Sequence, residues 1–178
     1  MIENTRYNAT MEPSPWILRF GRQLKKCATA LDLACGGGRN GRWFLLRDIR
    51  VTFLDRNISG LTDLTDVEQA EIIEADLETS GPYPLGTRQF ECVVVTNYLR
   101  RDILANIFDS VAPSGILIYE TFGAGNQAFG RPRNPDFLLQ PNELLNATRN
   151  RFHVLAYEHG LRRVPSPAVV QRIAAVRM

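Results

Sequence analysis

The spacing of apolar residues changes period several times along this chain, and each change marks an element. Trp16, Ile17, Leu18 and Phe20 open a short amphipathic helix over 16–26, after a polar, proline-punctuated stretch at 1–15 that reads as a flexible arm. Leu31 and Leu33 alternate as the end of a buried strand. Beyond a glycine run, Trp43, Phe44 and Leu46 are spaced to face a sheet from a helix over 39–47. The apolar, β-branched run 50–54 (RVTFL) predicts a second strand ending at Asp55. Residues 58–69 predict one short helix, and 71–75 (EIIEA) a third strand. Residues 90–96 (FECVVVT) are almost wholly apolar, as a strand covered on both faces should be.

Ile103, Ile107 and Val111 give helical spacing over 102–111, which Ala112-Pro113-Ser114-Gly115 should stop before a fifth strand at 115–121. Glycines and prolines then forbid regular structure over 122–145 until a helix at 142–149. Phe129, Phe137, Leu138 and Leu139 argue that this loop is ordered, and loops of such length are commonly functional. Strands at 152–157 and 169–177, separated by the turn-forming 162–167 (RRVPSP), close the chain as an antiparallel hairpin. The order predicts an α/β, Rossmann-like fold: a seven-stranded, mostly parallel sheet with a C-terminal antiparallel hairpin, in one domain over 16–178.

Candidate chemistry gathers where the first strand meets its helix, at 30–40 (ALDLACGGGRN). Strand, glycine bend and helix N-terminus point backbone N–H groups at a ligand, and Gly36, Gly38 and Gly41 satisfy G-x-G-x-x-G. That pattern alone also fits a nucleotide or nicotinamide fold. Asp32 changes the picture, because a carboxylate in the same crevice would repel a diphosphate and attract a ligand carrying an ammonium and a sulfonium. Asp55, at the end of the second strand, is placed to accept from ribose hydroxyls, and Asp76, after the third, from an adenine amino group.

Composition narrows the class. Hydrophobic content of 44% and charged content of 22% over 178 residues are those of an ordinary globular α/β domain. No apolar run approaches the ~20 residues of a membrane helix. The opening MIENTRYNATMEPSP lacks the order of a signal peptide, so a cytoplasmic protein without a membrane partner is expected. Cys27, Cys35 and Cys92 show no metal-like spacing and read as reduced thiols, with no metal site. A net charge of +2 without a basic, aromatic-interleaved stripe speaks against nucleic acid.

With LDLACGGGRN, VTFLDR, EADLE, TNYLRR, APSGILIYETF and FGRPRNPDFLLQPNELL in order, the chain resembles the class I S-adenosylmethionine (SAM) methyltransferases. Within them it looks like the small tellurite-resistance-like enzymes, relatives of the thiopurine type. The resemblance implies SAM as cofactor, held by Asp32, Ala34, Cys35, Gly36, Gly38, Asp55, Arg56, Asp76, Leu77, Thr96 and Asn97. It implies a small acceptor, anionic or soft (S, Se or Te), beside Trp16, Tyr98, Phe122, Phe129, Arg131 and Arg133. Glu120 is the candidate base and Tyr98 a candidate hydroxyl or aromatic wall, while Ser14-Pro15-Trp16 of the arm would lie over the pocket as a lid. Relatives more often carry His where Asn40 and Arg100 stand. Two alternatives stay open: methylation of nucleic acid, and a SAM-binding module without turnover. Nothing in the pattern bears on oligomeric state.

Overall fold

The structure, a computed structural model, describes residues 12–26 and 28–178. The strands are β1 (Thr29–Leu33), β2 (Arg50–Asp55), β3 (Ala70–Glu74), β4 (Phe90–Thr96), β5 (Val111–Phe122), β6 (Phe152–Arg162) and β7 (Ala168–Arg177). They form one sheet in the order β3-β2-β1-β4-β5-β7-β6. β1 to β5 run parallel to one another, and β7 lies antiparallel between β5 and β6. The helices are α1 (Pro15–Gly21), α2 (Arg39–Leu45), α3 (Leu104–Asp109) and α4 (Glu143–Thr148).

The two-residue period of the strands sorts their side chains onto two faces. Leu31, Leu33, Val93, Val95, Leu117, Tyr119 and Ile173 pack in one cluster with Phe108 of α3 and Leu144 of α4. Ala30, Val94, Ile116, Ile118 and Ala174 pack in the other with Trp16 of α1 and Phe44 of α2. The central strands are buried on both sides: Val93, Val94 and Val95 have no exposed surface. The same parity turns Asp32, Thr96 and Glu120 toward the α1–α2 layer.

Several boundaries differ from the sequence expectations. α1 ends at Gly21 rather than near 26, where a Cβ would press on the rings of Trp43 and Phe44. The helix expected at 58–69 contracts to a 3-10 turn, Ser59–Leu64. The helix expected at 102–111 becomes a 3-10 turn, Arg101–Ile103, followed by α3. Ala112-Pro113-Ser114-Gly115 stays inside β5 as an irregularity in its pairing with β4, the register shifting between Phe90 and Cys92. Cross-strand pairing lengthens the final hairpin beyond its apolar runs. Of the arm expected at 1–15, residues 1–11 lie outside the described residues, as does Cys27.

Candidate functional site

The parallel strands end together on one edge, and a cavity of about 480 Å³ opens above them. Ala34 lines it from the end of β1, and Asp55 and Arg56 from the end of β2. Ala75, Asp76, Leu77 and Glu78 follow β3, and Asn97 and Tyr98 follow β4. Phe137 reaches in from the long loop after β5. The cavity has the size of a small-ligand site and sits where open parallel sheets place one.

The bend below it is tied by Asp55. Its Oδ2 accepts from the Gly36 N–H at 2.7 Å, and Oδ1 from the Asn57 N–H at 2.9 Å. Each carboxylate oxygen retains a lone pair, so Asp55 can still accept from a ligand hydroxyl. Ala34 and Asn97, at the ends of β1 and β4, both hold left-handed backbone, with φ of 52° and 56°. Such conformations cluster where a site over-determines the chain. Gly38 (φ 73°) begins α2, and Gly41 presses so close to the Phe53 ring that a Cβ would lie 2.2 Å from it. Gly36 and Gly37, by contrast, would meet nothing within 4 Å. Two glycines of the bend therefore seat the helix, and the other two border open space, though none of the four lines the cavity.

Asp32 does not line the cavity. It is 1% exposed, on the α2 side of β1, and its Oδ2 accepts from the Gly41 N–H at 2.8 Å. Its Oδ1 is buried with no hydrogen-bond partner. Burial above all raises its pKa to about 7, against the lowering effects of the Gly41 N–H and Arg39. The expectation that it greets a ligand ammonium is therefore corrected: Asp32 caps an inner N–H of α2, and near neutral pH it carries only part of a charge. The negative lining comes instead from Asp55, Asp76 and Glu78, set against Arg56.

Other expected residues separate as plainly. Cys35 is 8% exposed, outside the lining, and burial, with Asp32 and Asp55 nearby, pushes its thiol far above the usual range. A thiol held in its neutral form is a poor nucleophile. Trp16 is 2% exposed in the core beneath α1, beside Phe20 and the guanidinium of Arg172, so it forms no substrate wall. Phe122 lines a smaller cavity adjoining the first. Phe129, Arg131 and Arg133 are exposed and line neither cavity.

Glu120 and Thr96 belong to a transverse polar row. Thr96 pairs with Glu120, Glu120 with Arg172, and Arg172 with Glu158 across β4, β5, β7 and β6. Glu120, 2% exposed, meets Arg162 at 3.3 Å and Arg172 at 3.5 Å, and accepts from the Ser14 hydroxyl at 3.4 Å. Asn40 accepts from the Ser14 N–H at 3.1 Å and donates to Thr96 Oγ1 at 3.0 Å. Both Glu120 oxygens are thus engaged with cations, which fits an anchor for α1 and the hairpin and not a free base. Ser14 is fastened in this row as the N-cap of α1, so the segment from Ser14 to Trp16 is part of the packed layer and not a lid.

Asn40 and Arg100, where the family resemblance leads us to expect His, both have defined partners. Asn40 joins α1 to β4, as above. Arg100 donates to the carbonyls of Leu77 and Thr79, fixing the wall that carries Leu77 and Glu78. His153 and His159 lie exposed on β6, outside both cavities.

Sequence reasoning did not single out Ala75, Glu78 or Phe137 as lining residues. Phe137 is set by Arg101, whose guanidinium donates to the carbonyls of Asp136 (2.7 Å) and Leu138 (3.0 Å) and pairs with Glu143 at 2.6 Å. Among the described residues there is no cluster of metal-ligating side chains, and no helix is long and apolar enough to cross a membrane.

Comparison with known proteins follows the same lines. The family model of the tellurite resistance protein TehB matches residues 4–108. TehB from Haemophilus influenzae superposes with a TM-score of 0.73 at 16% identity, covering 91% of this chain and 61% of that one. This chain thus spans about three fifths of that protein's length. A 1,6-didemethyltoxoflavin N1-methyltransferase from Burkholderia thailandensis, solved with its heterocycle and S-adenosylhomocysteine, gives 0.70 at 17% identity, covering 96% and 79% of the two chains. A SAM-dependent methyltransferase from Methanosarcina mazei gives 0.67 at 15%, covering 94% and 99%. No curated protein sequence matches. At these identities the superpositions establish the fold, and the family match covers more than half of the residues: the chain belongs to the TehB family and has the Rossmann-like fold of class I SAM-dependent methyltransferases.

Proposed function

We propose that this chain is a SAM-dependent methyltransferase acting on a small-molecule acceptor. The observation that carries the reading is the acidic cavity over the carboxyl ends of β1 to β4, where Asp55, Asp76 and Glu78 outnumber Arg56. A sulfonium-bearing ligand gains from that field, and a dinucleotide diphosphate loses. Asp55 would accept from the ribose hydroxyls, and Asp76 and Leu77 would border the adenine. The open backbone at Gly36, Gly37 and Asn97 would face the methionine end.

Bound there, SAM supplies a methyl group already activated by its sulfonium. The task left to the chain is to hold the partners in line and keep water out. Asn97 and Tyr98 border the space where an acceptor would lie, and Phe137 narrows the mouth. With Glu120 engaged by two arginines, a base would have to come from the carboxylates of the cavity itself, and an acceptor nucleophilic on its own, as soft S, Se or Te groups are, would need none. The exposed Arg131 and Arg133 would have to swing inward to serve an anion. The Burkholderia relative, which holds a small heterocycle, supports the small-acceptor reading.

The test is transfer of an isotopically labelled methyl from SAM to members of a panel of small thiols, selenite and heteroaromatic amines, read by mass spectrometry. Label on any acceptor supports the proposal. Binding of S-adenosylhomocysteine with no transfer to any of them would favour a binding module without turnover.

A further inference from the structure

Arg42, on α2, is only 7% exposed, and arginine is rarely buried so far without several partners. Its Nε donates to the Gly37 carbonyl at 3.0 Å, and one Nη donates to the Gly60 carbonyl at 2.9 Å. The fork also grips both oxygens of Asp63, at 2.6 and 2.7 Å. That grip holds the Asp63 carboxyl below the usual carboxylate range although the side chain is largely exposed. One guanidinium therefore joins the glycine bend after β1 to the 3-10 turn after β2. The two segments touch through their glycines, since a Cβ on Gly60 would lie 3.2 Å from the Gly37 Cα.

The same two segments orient Asp55. Its Oδ2 accepts from the N–H of Gly36, next to Gly37, and its Oδ1 from the N–H of Asn57, just before the turn. The Asn57 side chain accepts in turn from the Ser59 N–H at 3.0 Å, which ties it to Gly60. Hydrogen bonds and chain thus close a ring from Asp55 through the bend, Arg42 and the turn back to Asp55. Of these residues Asp55 alone lines the cavity. A carboxylate whose two donors are fixed from outside keeps its remaining lone pairs aimed one way, and a shift of either amide would turn it. A lysine ammonium, a point charge on a flexible stem, could not hold two carbonyls and a carboxylate in one plane.

We propose that Arg42 is a positioning residue for the cofactor: by clamping the bend to the turn, it holds Asp55 in the orientation that meets the ribose hydroxyls. The assignment rests on the SAM reading and on Asp55 as its ribose contact, and it adds a residue that touches no ligand itself.

Calorimetry measures S-adenosylhomocysteine and its 2′,3′-dideoxy analogue, which lacks both ribose hydroxyls, on the full chain and on Arg42→Met, Asp55→Ala and the double variant. Arg42→Met should weaken S-adenosylhomocysteine about tenfold and leave the dideoxy analogue within about twofold. On the Asp55→Ala background it should add less than about twofold, because two residues acting through one contact are not additive. Thermal melting checks each fold. Should Arg42→Met not fold, Asp63→Ala, which removes only the exposed half of the ion pair, carries the same test with an expected loss of about threefold. Equal losses for the two ligands, losses that add to that of Asp55→Ala, or unchanged affinity each overturn the proposal. Failure of the wild type to bind S-adenosylhomocysteine overturns the cofactor reading instead. Binding that Asp55→Ala leaves unchanged overturns the ribose contact and this inference with it.

Discussion

The Asp32 carboxylate accepts a hydrogen bond from the Gly41 N–H at 2.8 Å, joining the middle of β1 to the first turn of α2 beneath the glycine bend. An acid that composition suggests as a ligand contact is thus a fastening between strand and helix. Its cost is a second carboxylate oxygen buried without a partner.

That arrangement makes stability depend on pH. The folded-state pKa of Asp32, about 7, lies above its ordinary 3.8, so the folded chain keeps a proton that the unfolded chain has lost. The contribution is fully present below about pH 4 and is lost as pH rises to about 7. At about 1.36 kcal/mol per pKa unit, the difference is on the order of 4 kcal/mol. Asp32→Asn keeps an oxygen for Gly41 and should abolish this slope. Urea unfolding of both proteins from pH 4.5 to 8 checks it: the variant gains on the wild type as pH rises, and parallel curves would refute the account.

Neighbouring glycines should respond oppositely to a methyl group. Gly41→Ala places a Cβ 2.2 Å from the Phe53 ring, and such overpacking costs about 1–3 kcal/mol. Gly37→Ala meets nothing within 4 Å and should fold normally, and on the proposed cofactor placement its methyl would crowd the methionine end. Unfolding midpoints and S-adenosylhomocysteine affinities, measured together, should separate the two: Gly41→Ala loses stability, and Gly37→Ala loses affinity.

Removing Glu120 should cost stability before it costs chemistry. Glu120→Ala leaves the guanidinium groups of Arg162 and Arg172 without their shared buried partner. Stranding buried charge in this way costs on the order of 3 kcal/mol. Chemical denaturation reads the loss. A variant as stable as the wild type but inactive would return Glu120 to a catalytic role.

Arg101 should control the mouth of the site from outside it. Arg101→Lys cannot reproduce the fork that grips the Asp136 and Leu138 carbonyls and Glu143. Faster amide hydrogen exchange across 135–139, with global stability little changed, is the expected signature. Unchanged exchange would mean that the loop is held by its own packing.

Much of this was legible in the residues themselves. The apolar run of β4, the glycine bend and the acid closing β2 place the sheet edge and cavity, because each reports a purely local requirement of burial or backbone freedom. Strand parity was legible too: Leu31 and Leu33 share one face, so Asp32 had to take the other, beneath α2. What escaped were partnerships across long separations. Nothing near Glu120 announces Arg162 and Arg172, which meet it only because β7 inserts between β5 and β6. Phe137 reaches the cavity through an arginine thirty-six residues earlier in the chain. Tertiary pairing, and not local pattern, decides both.

The account turns on which ligand the edge of the parallel sheet receives. Calorimetric titration of the wild type and of Asp55→Ala with S-adenosylhomocysteine and with NAD addresses it directly. The account predicts saturable binding of S-adenosylhomocysteine, weakened about tenfold or more by the substitution, and no heat from NAD. Binding of NAD, with no binding of S-adenosylhomocysteine at high micromolar concentration, would contradict it.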